Sequence, residues 1–66
     1  MNKNKIGDRL IKLRGSRTQK EIAKAVGVEP MAISYYESGK RIPRDEIKKK
    51  LANYYNVTVQ DIFFDD

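Results

Sequence analysis

The 66-residue chain contains no cysteine, no tryptophan and no histidine. Without cysteine there is no disulfide, no thiolate nucleophile and no Cys-based metal site. A small domain without covalent staples fits a reducing cytoplasm better than secretion. Without histidine, general acid–base chemistry would need a close carboxylate pair in a pocket. A chain of this size offers no evident cleft for one, so an enzyme is not expected. No apolar run approaches the roughly 18 residues of a membrane span, and no signal-peptide pattern opens the chain, so no membrane partner is expected. Strand alternation, internal repeats and low-complexity linkers are missing as well. Nothing calls for a cofactor, a metal or a small-molecule ligand. What the length allows is one domain, residues 1–66, burying only about 60% of the surface its unfolded chain exposes.

Charge is plentiful but uneven. The formal net charge is +5. Residues 1–44 carry 11 Lys/Arg against 4 Asp/Glu, a balance of +7, whereas residues 45–66 carry 3 against 5, a balance of −2. A basic half of this kind is where a polyanion would dock, although a solvated surface kept for solubility has the same composition.

The apolar residues fall at helical spacing throughout. Ile6, Leu10 and Leu13 predict a first helix over roughly Asn4 to Arg14, with Ile11 at the edge of the stripe. Gly7 weakens that helix by up to ~1 kcal/mol relative to alanine. Thr18 and Glu21 have the spacing of a capping box, opening a second helix with Ile22, Ala23 and Val26 on one face. Gly27 ends it in a left-handed conformation. Pro30 suits the first turn of a third helix, whose inner face is Ala32, Ile33 and Tyr36 and which closes at Gly39. Lys40 to Pro43 read as a loop. A fourth helix starts near Arg44 or Asp45, buries Ile47, Leu51, Ala52 and Tyr55, and stops at Asn56. Thr58 and Asp61 form a second capping pair before a short fifth helix through Val59, Ile62 and Phe63. The prediction is an all-α, compact five-helix bundle. Its tight, Gly-centred corner at about residues 18–39 has the geometry of a helix-turn-helix, a unit able to place its second helix in the DNA major groove.

The spacing Gln19, Ala23, Gly27, Val28, Ile33, Tyr36, Glu37, Gly39 resembles the Cro/repressor type of helix-turn-helix, the Xre family, which includes small phage repressors and Cro proteins. The likeness covers nearly all of the chain and extends to Leu13-Arg14, to Pro43 and to the Asn-Val-Thr-Val-Gln-Asp-Ile-Phe ending. It implies a lambda-repressor-like DNA-binding domain in which Arg14 and Glu37 form a structural ion pair tying helix one to helix three. Two departures stand out. The family has about two more residues between that arginine and the glutamine, and Pro30 occupies a position where many relatives place a polar base reader.

Matching positions imply that Glu29, Pro30, Met31, Ser34 and Tyr35 point into the major groove. Pro30 and Met31 suit thymine methyl groups, and Ser34 suits either base type. None of the five is a strong bidentate reader, so part of the sequence preference is expected from DNA shape. The resemblance assigns Gln19 to a phosphate, where free helix N–H groups also favour an anion. Arg17, Thr18, Lys20, Lys40 and Arg41 flank the same surface as candidate phosphate clamps, and two or three of the six are expected to be silent. The run Lys48-Lys49-Lys50 is read as solvated.

Relatives of this size bind palindromes as two-fold dimers. The candidate interface is Tyr54, Val57, Val59, Phe63 and Phe64. Neighbouring Phe63 and Phe64 cannot both enter one small core, so one of the two is exposed or covered by a partner. The resemblance thus implies a homodimeric, sequence-specific transcriptional regulator of double-stranded DNA, a repressor acting by occlusion. It also implies a cytoplasmic, nucleoid-associated protein of bacterial or phage origin, and the chain itself is expected to hold no second domain for ligand sensing or self-cleavage. A restriction-modification controller, an antitoxin or a protein-interaction module on the same scaffold is the alternative.

Overall fold

The computed structural model describes residues 2–64. These form five helices and, among the described residues, no strand: α1 (Lys3–Arg14), α2 (Gln19–Val26), α3 (Pro30–Ser38), α4 (Asp45–Tyr55) and α5 (Val59–Phe63). The all-α bundle is as predicted, and most boundaries fall where local chemistry places them. Asn2 opens α1 slightly early, its side-chain oxygen accepting from the N–H groups of Asn4 at 3.0 Å and Lys5 at 3.1 Å. Thr18 caps α2 by accepting from the Glu21 N–H at 3.0 Å. The return bond expected from the Glu21 side chain does not form. A complete capping box occurs instead at α5, where Thr58 and Asp61 exchange bonds of 3.0 Å in both directions. Those bonds to Thr58 hold the exposed Asp61 carboxyl below its ordinary pKa. Asn56 stops α4 in the left-handed region, at φ 58°, as its side-chain chemistry allows.

One buried cluster runs through the bundle, joining Ile6 and Leu10 of α1 to Ile22 and Val26 of α2, Ile33 of α3, Leu51 of α4 and Ile62 and Phe63 of α5. Leu13, Ala32 and Val59 are only half-buried at its margin. The α1–α3 seam is tighter than side-chain packing would permit. A Cβ on Gly7 would overlap the carbonyl oxygen of Glu37 and approach its carbonyl carbon to 2.9 Å. The glycine that looked like a weakness in α1 is therefore the residue that lets two helix backbones meet.

The short link from α1 to α2 is closed by Arg17. Its guanidinium donates to the carbonyls of Leu13 at 2.7 Å and Arg14 at 3.2 Å, the exposed carbonyl ends of α1. The same group lies 5.2 Å and 5.3 Å from the ring centres of Tyr54 and Tyr55 on α4. At the opposite end of the chain, Arg9 donates to the Ile62 carbonyl at 2.8 Å, fastening α5 onto α1.

Lys48 departs from the expected solvated run. Its side chain is 8% exposed, with Nζ 3.4 Å from Asp45 and 5.7 Å and 5.3 Å from the Phe63 and Phe64 rings. One turn before Ala52, it lies on the α4 face that receives α5, and its aliphatic stem covers apolar surface there. Lys49 and Lys50 are exposed, as three consecutive helical positions must diverge.

Candidate nucleic-acid interface

The inner face of α3 is bolted to the rest of the domain. Arg14 donates through Nε to Glu37 Oε2 at 2.7 Å and through Nη2 to Oε1 at 3.2 Å, a two-point fork. Its remaining Nη1 donates to the Arg17 carbonyl at 2.7 Å. The Glu37 side chain is only 5% exposed, and hydrogen bonding to it holds the Arg14 guanidinium above its ordinary pKa. Gln19, on the first turn of α2, donates from Nε2 to the same Glu37 Oε1 at 2.9 Å. One buried carboxylate thus joins α1, α2 and α3.

The sequence anticipated the Arg14–Glu37 pair but not the third member. Gln19 was placed at a phosphate, and its side chain here is directed partly inward. The residue as a whole is half-buried. The signal that could have found this contact is the register: Gln19 begins the helix that faces α3, and Glu37 has two acceptor oxygens for one arginine.

The outer face of α3 is a different environment. Glu29 precedes the helix with an exposed side chain that makes no cap bond, and Pro30 occupies the first helical position. Met31 is 63% exposed. Ser34 and Tyr35 are half-buried on the flank. These five positions form a contiguous, mostly uncommitted surface along the N-terminal two turns of the helix. At its far end Lys40 and Arg41 come close to Tyr35, with Nζ and Cζ at 5.5 Å and 5.3 Å from its ring centre. Lys20 and Thr18, at the start of α2, are exposed next to Gln19, which reaches Glu37 in the last turn of α3.

Arg17 does not belong with these clamps. Half-buried, hydrogen-bonded to α1 and stacked against α4, it spends its charge on the domain's own carbonyls and rings rather than on a free surface. The composition of the loop marked a cation, and only the fold shows which way it turns.

The proposed partner surface also divides. Phe63 is 1% exposed and belongs to the core, so it cannot be an interface residue. Phe64 is 47% exposed. This is the in–out split that adjacency demands. Tyr54, Val57 and Val59 are half-buried. Val57 lines a shallow apolar groove of about 240 Å³ with Arg9, Lys12, Leu13, Asp61 and Ile62. Val59 and Phe64 line a second, of about 320 Å³, with Asp45, Lys48 and Lys49. No helix among the described residues is long and apolar enough to cross a membrane.

With this geometry in place, known proteins supply the comparison. The family model described as helix-turn-helix matches residues 9–62. An uncharacterized HTH-type transcriptional regulator of Archaeoglobus fulgidus is 42% identical over 50 residues, spanning 74% of this chain and 71% of that protein. The solution structure of the SOS-response transcriptional repressor LexA from Eubacterium rectale superposes with a TM-score of 0.89 at 31% identity, covering 98% of this chain and 71% of that one. The P22 c2 repressor, solved in complex with a synthetic operator, superposes with a TM-score of 0.87 at 25% identity, covering 92% of this chain and 96% of the repressor.

Proposed function

Because the chain belongs to the helix-turn-helix family, in its Cro/repressor (Xre) type, we propose that it is a sequence-specific regulator of transcription that acts as a repressor on double-stranded DNA. The observation that carries this reading is the division of α3. Its inner face is locked by Glu37, and its outer face presents Glu29, Pro30, Met31 and Ser34 with no internal commitment. A helix held rigidly on one side and left free on the other, with exposed Lys20, Lys40 and Arg41 on the segments beside it, fits a major groove flanked by phosphates. The operator bound to the P22 c2 repressor supports the same docking here.

In this reading Met31 and Pro30 contact thymine methyl groups, and Ser34 hydrogen-bonds a base edge. Lys20, Lys40 and Arg41 neutralise phosphates. Gln19 offers its second amide N–H to a phosphate while Glu37 holds the first. Two copies bind a palindrome, meeting through Tyr54, Val57, Val59 and Phe64, and the protein works in the cytoplasm where its DNA lies. Selection of bound sequences from a random duplex library tests the proposal: an enriched palindromic motif is expected, and recovery of no motif would sink it. Sedimentation with the selected duplex tests the dimer, which a single copy bound per palindrome would refute.

A further inference from the structure

The C-terminal end of α3 is organised around one residue to an unusual degree. The carbonyl oxygen of Tyr35 is approached by the N–H groups of Gly39, of Lys40 at 2.9 Å and of Arg41 at 3.3 Å, and by the Ser38 hydroxyl at 3.3 Å. Its ring receives the ends of the same two cationic side chains, Lys40 Nζ at 5.5 Å and Arg41 Cζ at 5.3 Å from the centre. Backbone and side chain of Tyr35 therefore act on the same pair of residues. Lys40 and Arg41 are both exposed, and neither makes an ion pair with a described carboxylate.

Long cationic side chains in water sample many rotamers, and ordering them on DNA costs entropy with each contact. An aromatic face within about 6 Å attracts a cation electrostatically and narrows that sampling beforehand. The ring is also half-buried and already engaged by two cationic side chains, a poor placement for reading a base edge. We propose that Tyr35 is a positioning residue for the phosphate clamp: it holds Lys40 and Arg41 together beside the recognition helix before DNA arrives. This replaces the base-reading role that the sequence suggested for Tyr35, and it rests on the DNA-binding reading above.

The test is a double-mutant cycle on the full chain, with fluorescence anisotropy on the selected duplex and on a scrambled one across a salt series. Tyr35→Phe keeps the ring and should leave affinity, salt slope and preferred sequence unchanged. Tyr35→Leu should weaken both duplexes alike, by roughly fivefold, the scale of one or two exposed cation–π contacts. It should also flatten the slope of log K against log salt by up to about one phosphate contact. Lys40→Gln should cost less in the Tyr35→Leu background than in the wild type. In the free protein, upfield ring-current shifts of the Lys40 and Arg41 side-chain protons should be present in the wild type and Tyr35→Phe. They should vanish in Tyr35→Leu, a readout that needs no DNA, while the dispersion of its core methyl resonances reports folding. An additive cycle, absent ring-current shifts, or a changed base preference in Tyr35→Phe would overturn the proposal while leaving DNA binding intact. A wild-type chain that binds neither duplex would instead overturn the DNA-binding reading itself.

Discussion

The two faces of α3 differ more from each other than α3 differs from its neighbours. On the inner face, Glu37 is bonded to two partners on two other helices, and the backbone beneath it touches the backbone at Gly7. On the outer face, Met31 is 63% exposed and Glu29 makes no cap bond. One face has no freedom to change and the other has no internal reason to stay as it is. The contrast teaches that positioning and reading are separated by half a helical turn, so substitutions on the two faces should produce different kinds of failure.

The largest expected effect comes from Glu37→Ala. It strands the Arg14 guanidinium and the Gln19 amide and should cost about 3–5 kcal/mol, toward the lower end because Arg14 is 21% exposed and can recover some hydration. Urea denaturation checks it, and a loss under 1 kcal/mol would break the claim that the inner face is the bolted one. Gly7→Ala comes next. Alanine favours helix by up to ~1 kcal/mol, but overlap with the Glu37 carbonyl should outweigh that, for a net loss of roughly 2 kcal/mol. An unchanged midpoint would mean the seam can open without cost.

A smaller effect should appear only in alkali. Burial, and then the Glu37 charge, push the Tyr55 phenol up to about 12 from 10.0. The unfolded chain therefore loses this proton first, and stability should fall as pH rises from about 10 to about 12. Tyr55→Phe should remove that part of the decline and leave neutral-pH behaviour nearly unchanged, as paired melting curves at pH 7 and pH 11 would reveal. The smallest stability effects belong to the outer face. Ser34→Ala and Met31→Ala should stay within about 0.5 kcal/mol of the parent while altering the preferred bases in repeat selections. A large stability loss from either would erase the distinction between the faces.

Periodicity and caps made most of this architecture legible before any coordinates. Thr18, Gly27, Pro30, Asn56 and Thr58 mark helix ends by local chemistry, and the apolar stripes name nearly the whole core. What escaped was long-range. Gly7 looked like a local weakness because its reason lies 30 residues away in the Glu37 carbonyl. Arg17 looked like a DNA clamp because a loop cation has no direction until Tyr54 and Tyr55 are folded against it. Lys48 reads as solvated by its charge, while its register places it on the buried face, and its long stem satisfies both. Adjacency of Phe63 and Phe64 predicts that one ring is exposed or covered by a partner, but only the fold shows that it is Phe64 and that Phe63 belongs to the core.

The bond from Arg9 to the Ile62 carbonyl spans 53 positions of sequence. Its consequence is one of timing. Contacts this distant in sequence cost loop-closure entropy before they reward it, so α1 and α5 meet late in folding, and Ile62 and Phe63 complete the shared cluster as they do.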